Sequence, residues 1–448
     1  MARILREYTL PGVEDPLRTT AALLEDYKRG SYYAYEYGDT WYIGLSSHAS
    51  LVVDPAGETA TIIDKDGTKL STPVTEPLGQ IATRFVSEHG GHGKVFGQVG
   101  FNYGACTKGR TYEPGQWPLL SLMVPRTQVA LRKDTITVTG YYEEEAKEVC
   151  SFLQHGSAHH EVTTESRIRH PPLDLQANSA DYKTRVAKAI SDIDRGAYSK
   201  AVCSRVVPVP TRVNMAATLL HGRRSNTPAR TFSLSHGGIQ ATGFSPEVLL
   251  SVRNGRAFTE VVAGTRSVDP ANLENSRTKL LYDTKEVLEH VTVVKGFSKQ
   301  LAQSCVPGSV SIRDFMTVID RGNVHHLFSH VSGHLPTGRS AWDTLGDMLG
   351  SVASPPPPGQ AFDDMLQALE PRPRELYFGA VVMLDPDADF FEAALVLRTV
   401  FQDTSRQWLQ AGAAVTRHSN PEREFAETCE KLMSMAPYVV VDTTKFDG

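Results

Sequence analysis

Two stretches of the chain place pairs of glutamates where a helix would align them. Lys285-Glu286-Val287-Leu288-Glu289-His290 carries Glu286 and Glu289 three residues apart, and the segment from Pro421 carries Glu424 and Glu427 at the same spacing. Residues three apart share one face of an α-helix, so each pair sets two like charges side by side. A hard cation relieves that repulsion, and Mg²⁺ takes one or two carboxylates together with waters and substrate oxygens. The same spacing describes a solvated acidic face, with Lys431 four residues beyond Glu427 as an ion-pair partner. Spacing alone leaves both readings open.

The elements that must hold these residues follow from pattern. Residues 30–145 are β-rich, with short β-branched runs such as Trp41-Tyr42-Ile43-Gly44-Leu45 and Ile136-Thr137-Val138-Thr139 separated by Gly and Asp turns. Residues 155–180 are polar and aperiodic, a connecting segment in which the adjacent His159 and His160 point apart as in a solvated loop. Asp181 to Arg195 repeats apolar residues at helical spacing. Asn254-Gly255 between two apolar runs is a hairpin signal. One long helix is expected over 279–303, strands over 376–384, 392–401 and 407–415, and a last helix over 421–434 with Asn420 as N-cap and Pro421 at its first position. Strands joined by hairpins, interspersed with helices, make an α+β protein with antiparallel sheets rather than repeated βαβ units.

Composition narrows the function. At 448 residues, 40% hydrophobic and 22% charged, the chain is an ordinary globular protein of two domains or one composite core. A formal net charge of −5 argues against nucleic-acid binding. No apolar run is long enough to span a bilayer, and Met1 to Glu7 contains no apolar signal core, so a cytoplasmic protein is expected. The five cysteines are scattered without a C-x-x-C pair, which suggests neither a disulfide framework nor a zinc site. No dinucleotide or P-loop glycine motif falls where a strand meets a helix, and no solenoid-period repeat is present.

Six segments in order resemble the chorismate-utilising enzymes, the family of anthranilate, aminodeoxychorismate, isochorismate and salicylate synthases. They are Ser199 to Arg205 (SKAVCSR), Gly243-Phe244-Ser245-Pro246-Glu247, the turn Ala263-Gly264-Thr265-Arg266, Asp283 to His290 (DTKEVLEH), Val324-His325-His326-Leu327 and Pro421 to Leu432. The resemblance covers about residues 180–440. It implies a large composite α+β domain of layered antiparallel β-sheets flanked by helices, like anthranilate synthase component I. Residues 1–155 would be its N-terminal β-rich part and 180–440 the chorismate-binding catalytic region.

The resemblance also assigns roles. Glu289 and Glu427 would ligate Mg²⁺ directly, Glu424 directly or through water, with Glu286 behind them. Lys200 would activate water for attack on C2 of chorismate, and Glu247 would protonate the departing C4 hydroxyl. A lysine base needs a lowered pKa and a glutamic acid donor a raised one. Arg398 and Tyr377 would anchor the pyruvyl carboxylate. His326 would lie near the ether, and Lys431 near the ring carboxylate. Gly264, Thr265 and the backbone of Gly412, Ala413 and Ala414 would supply close donors. Absent these matches, Lys200 reads as a surface lysine, Tyr377 as aromatic core and His326 as a satisfied core histidine.

Lys200 stands where the amine-incorporating members usually have Gln, and Ala263 where the aminodeoxychorismate type has a nucleophilic Lys, so water is the expected nucleophile. No amidotransferase subunit, nucleic acid or membrane partner is expected, and the chain is read as a monomer. The segments 223–230, 314–318, 379–384 and 427–432 most resemble salicylate synthases of siderophore pathways. Alternatives are an isochorismate synthase that releases its product and an inactive chorismate-binding protein. Two departures bear on that choice: Ala353-Ser354-Pro355-Pro356-Pro357-Pro358-Gly359 lacks the Thr and Lys of the family's loop, and the family's G-A-G turn reads Gly412-Ala413-Ala414.

Overall fold

The structure is a computed structural model that describes residues 6–443 apart from 92, 157–167, 270, 322–323 and 350–358. The Pro355–Pro358 run and the His159-His160 pair lie outside the described residues.

One long strand, Thr40–Val53, explains how the sheets are joined. Its first half buries Trp41, Ile43 and Leu45 in one core, and its second half buries Ala49, Leu51 and Val53 in another. Between them Ser46 adopts φ 53°, and the register with Leu120–Leu131 slips between Ser47 and Ala49. Such an irregularity bends a strand and re-aims its side chains. Leu120–Leu131 divides the same way, with Leu120, Leu122 and Val124 in one core and Val129 and Leu131 in the other.

Two antiparallel sheets fan out from this pair. The first runs through Tyr32–Tyr37, Arg230–His236, Ile239–Ser245, Thr399–Gln402 and Gln407–Val415 to Ala201–Pro208. The second runs through Val95–Val99, Ala380–Asp385, Phe390–Leu395, Val248–Arg253, Arg256–Ser267 and Val324–His334 to Ser311–Arg321. Strands of the first 155 residues therefore pair directly with strands beyond residue 230.

Period-two burial builds the layers. Along Ala380–Asp385, Val381 and Met383 enter a central core with Tyr35, Phe232, Phe401 and Trp408 of the first sheet. Ala380, Val382 and Leu384 point the other way, into a core with Phe297 and Leu301 of the Thr284–Ser304 helix. The result is helix, sheet, sheet, helix: layered antiparallel sheets flanked by helices, as the sequence implied. No helix among the described residues is long and apolar enough to cross a membrane.

Four local expectations change. The 279–303 helix is two, Leu273–Leu281 and Thr284–Ser304, because Asp283 caps the second by accepting from the Lys285 and Glu286 N–H groups. The expected 376–384 strand begins at Ala380, and the 392–401 strand breaks between Phe390–Leu395 and Thr399–Gln402, where Arg398 takes φ 49°. Ala263-Gly264-Thr265-Arg266 is not a turn but an irregularity inside Arg256–Ser267, where the register with Val324–His334 shifts between Val262 and Thr265.

Candidate active site

Lys200 sits at the mouth of the first sheet, one residue before Ala201–Pro208, and is 8% exposed. Burial lowers the pKa of its amine; Glu289 opposes that shift, Lys431 adds to it and Glu427 opposes it. The lysine is therefore within electrostatic reach of both acidic helices. On the neighbouring strand, Gly412 pairs with Ser204 across the ladder. A Cβ at Gly412 would lie 2.8 Å from the Cys203 carbonyl oxygen and 3.2 Å from the Tyr377 hydroxyl. Close approach here belongs to Gly412, whereas Ala414 is half-buried in a regular strand opposite Val202, not in a turn.

Glu247 occupies a two-residue bend between Ile239–Ser245 and Val248–Arg253. The bend is fixed by Ser245, whose hydroxyl lies 2.6 Å from the Leu395 carbonyl and 2.9 Å from that of Glu247. The Glu247 carboxyl accepts from Val262 N–H at 3.3 Å. Burial pushes its pKa up to about 8; the Val262 N–H and Arg398 pull it down, and Glu260 adds to the rise. Near neutral pH that shift favours the protonated acid.

The irregularity at Ala263-Gly264 brings the second sheet against the Thr284–Ser304 helix. Gly264 has φ 82°, and a Cβ there would stand 2.9 Å from the Glu286 carbonyl oxygen. Thr265 N–H donates to the Glu286 carboxylate at 2.7 Å, so that donor is already engaged. His290 completes the clamp, with Nδ1 2.9 Å from the Ala263 carbonyl and Nε2 2.7 Å from the Ser329 hydroxyl. His326, opposite Thr265 in the register, has Nδ1 2.9 Å from the Thr265 hydroxyl. Its Nε2 is buried without a hydrogen-bond partner among the described residues. Burial, then the charges of Arg398 and Arg321, take the His326 pKa down to about 3, so the ring is neutral.

Tyr377 is buried, with its hydroxyl against the Gly412 backbone. Arg398 is held by the left-handed break between strands, with Glu247 as its nearest countercharge. Its guanidinium makes no side-chain hydrogen bond to a described residue. His326 feels both Arg398 and Lys431, which joins the Glu247 side of the site to the Lys200 side.

The terminal helix Pro421–Met433 is capped by Asn420, whose side chain accepts from the Glu422 and Arg423 N–H groups. Glu424 is 6% exposed. Burial raises its pKa, Glu427 adds to the rise, and the Ser419 hydroxyl opposes it. For Glu427 burial acts upward, but the Lys431 ammonium at 2.8 Å outweighs it and holds the carboxyl below its ordinary range. Lys431 also donates to the Gly412 carbonyl at 2.9 Å. Lys285 faces both Glu424 and Glu427, so the start of the Thr284–Ser304 helix approaches this one.

Among the described residues no three carboxylate, His or Cys side chains gather into a ready cation cage. The donor set instead fits a cation held by one or two carboxylates, with water and substrate oxygens completing its shell. Glu424, destabilised as an anion by burial and by Glu427, is the group such a cation would relieve.

Pattern reasoning missed His290, Glu260 and Arg321. His290 ends the segment Asp283 to His290, next to Glu289. Glu260 was visible as an isolated charge in the strand Phe258 to Val262.

A buried lysine within reach of two acidic helices and a buried glutamic acid of raised pKa are groups suited to acid–base chemistry. Residues 30–437 match the chorismate binding enzymes, and the chain belongs to that family. It is 32% identical over 428 residues to the salicylate synthase of Mycolicibacterium paratuberculosis, spanning 94% of this chain and 92% of that protein. It is 29% identical over 292 residues to anthranilate synthase component 1 of Methanothermobacter thermautotrophicus, 64% of this chain and 62% of that one. The menaquinone-specific isochorismate synthase MenF of Escherichia coli shares the fold at TM-score 0.71 and 19% identity, over 98% of this chain and 95% of its own. Anthranilate synthase component I of Streptococcus pneumoniae does so at TM-score 0.73 and 19% identity, over 90% and 93%.

Proposed function

We propose that this protein is a salicylate synthase, converting chorismate to isochorismate and then to salicylate and pyruvate with Mg²⁺ as cofactor. The observation that carries the reading is the opposed tuning of two buried groups. Lys200 is shifted toward the free amine, and Glu247, at about 8, toward the protonated acid. Similarity to a salicylate synthase over nearly the whole chain supports the choice of reaction.

In the first half-reaction Lys200 takes a proton from the water that forms the new C2–O bond. The ring double bond shifts, the C4–O bond breaks, and Glu247 protonates the departing hydroxyl, so one water enters and one leaves. Arg398 and Tyr377 would orient the pyruvyl carboxylate. A carboxylate on Arg398 also cancels the cation that draws the Glu247 pKa down, so substrate binding favours the protonated acid. His326 would offer a neutral ring nitrogen near the ether. Gly264, Thr265, Gly412, Ala413, Ala414 and Lys431 would enclose the ring carboxylate. Glu289 and Glu427, with Glu424 and then Glu286 behind, would hold Mg²⁺, which when bound supplies a Lewis-acid grip on that carboxylate.

In the second half-reaction the C2 hydrogen passes to the methylene of the enolpyruvyl group as the C3–O bond breaks. Pyruvate leaves and the ring becomes aromatic. Positioning matters more here than an added base. A cytoplasmic, monomeric enzyme of a siderophore pathway, with no amidotransferase subunit, belongs to the same reading.

The test is incubation with chorismate and Mg²⁺, following salicylate fluorescence and pyruvate together. Both should rise in equal amounts. Isochorismate accumulating without pyruvate would make the protein an isochorismate synthase. Thermal stabilisation by chorismate without turnover would make it a binding protein.

A further inference from the structure

The hairpin Val248–Arg253 and Arg256–Ser267 has regular ladder pairs only from Arg253↔Arg256 to Ser251↔Phe258. Closer to the active site, side chains replace ladder bonds. Glu260 accepts from Val248 N–H at 3.0 Å, and Glu247 accepts from Val262 N–H at 3.3 Å. The bonds are crossed: Val248 follows Glu247, and Val262 lies two residues beyond Glu260. Each carboxyl is tied to the backbone that carries the other. The Glu247 residue is 8% exposed and the Glu260 side chain 17%.

Two neighbouring buried carboxylates do not both ionise readily, and the surrounding cations decide which one keeps the charge. Arg398 is the cation facing Glu247. Burial raises the Glu260 pKa as well, but the Val248 N–H and then Arg230, Arg321 and His330, facing it from three strands, pull it down, with His330 Nε2 4.0 Å from a Glu260 oxygen. Arg230 is shared with Glu392, which it grips at 2.5 and 2.8 Å, and His330 with Asp314 at 2.9 Å. The buried Nε of Arg321 has no hydrogen-bond partner among the described residues. Glu260 is in turn the chief countercharge of Arg321.

We propose that Glu260 is a positioning residue for the general acid: it carries the single negative charge of the buried carboxyl pair, keeping Glu247 protonated and, through the crossed backbone bonds, fixed in place. The inference rests on Glu247 being the proton donor. Burial is the largest cause of the raised Glu247 pKa, and the charge on Glu260 acts in the same direction.

The test compares wild type with Glu260→Gln, whose amide oxygen can still accept from Val248 N–H. The protonated-carboxyl infrared band of Glu247, identified by its loss in Glu247→Gln, should titrate about one unit lower in Glu260→Gln, a tenfold change in ionisation. The basic limb of the turnover profile should move down in step. An unmoved band midpoint, or a loss of kcat equal at every pH, overturns the proposal. A shifted band in a protein that does not turn over chorismate upholds the coupling and sinks the proposed function instead. Should Glu260→Gln fail to fold, Glu247→Gln decides. The neutral-pH carboxyl band should fall by one carboxyl's worth, and an undiminished band refutes the assignment.

Discussion

Replacing Glu247 by Gln should leave the protein more stable and nearly inactive, with a gain in stability that grows with pH. Burial lifts the folded carboxyl from an ordinary 4.5 to about 8. Below the ordinary value both folded and unfolded chains hold the proton, and the group contributes nothing. As pH rises, the unfolded chain releases its proton while the folded chain keeps it, so the folded state is progressively penalised. Above about pH 8 the folded carboxyl ionises too and the penalty is complete. At about 1.4 kcal/mol per pKa unit, the penalty is of the order of 3 kcal/mol at pH 7 and 4–5 kcal/mol at its limit. Gln does not titrate. Its unfolding free energy minus that of wild type should therefore climb by about 4 kcal/mol from pH 5 to 8.5, and any constant effect of the amide cancels. Urea denaturation of both proteins at each pH measures this. Chorismate turnover in the same variant should fall by about 10²–10⁴, because an amide cannot deliver the proton. A difference that stays flat across that range would mean that Glu247 is not a neutral buried acid, and unchanged turnover would remove it from the chemistry.

Lys200→Met should lower turnover by about 10²–10⁴. Because the free amine is the active form, wild-type kcat should rise with pH through the lowered Lys200 pKa, and a pH–rate profile of the variant should lack that rise. Gly264→Ala forces a side chain into φ 82° and within 2.9 Å of the Glu286 carbonyl. It should destabilise by about 1–3 kcal/mol in denaturant unfolding; full stability would contradict the close packing of strand and helix. Removal of divalent cations with EDTA should abolish turnover and added Mg²⁺ restore it. Glu424→Gln should raise the Mg²⁺ concentration needed at least about tenfold, as expected for a lost hard ligand, and an unchanged Mg²⁺ titration would exclude Glu424 from the cation's surroundings.

Local chemistry was readable wherever a few consecutive residues determine a conformation. Asn420 and Pro421 start the terminal helix where capping rules put them, and Asn254-Gly255, both at positive φ, turn the hairpin between Arg253 and Arg256. The ordered family segments led to a layered α+β fold and a chorismate enzyme. Where a single residue breaks a continuing pattern, the sequence misled: Asp283, as an N-cap, splits a continuous apolar period into two helices, and Arg398, at positive φ, interrupts a strand.

The amino-acid sequence by itself determined which residues are candidates: two carboxylate pairs at helical spacing, a lysine before a strand, and a glutamate after Ser-Pro. Only tertiary structure decided their states. Taken alone, Lys200 reads as a surface residue and the acidic pairs as solvated faces. Folding buries Lys200 and Glu247, brings Lys285 toward Glu424 and Glu427, and places Glu260 across from Glu247. The reason is physical: spacing encodes which residues share a face, whereas the energy of a charge depends on the water removed from it and on the charges brought near. Both are set by strands and helices far apart in the chain.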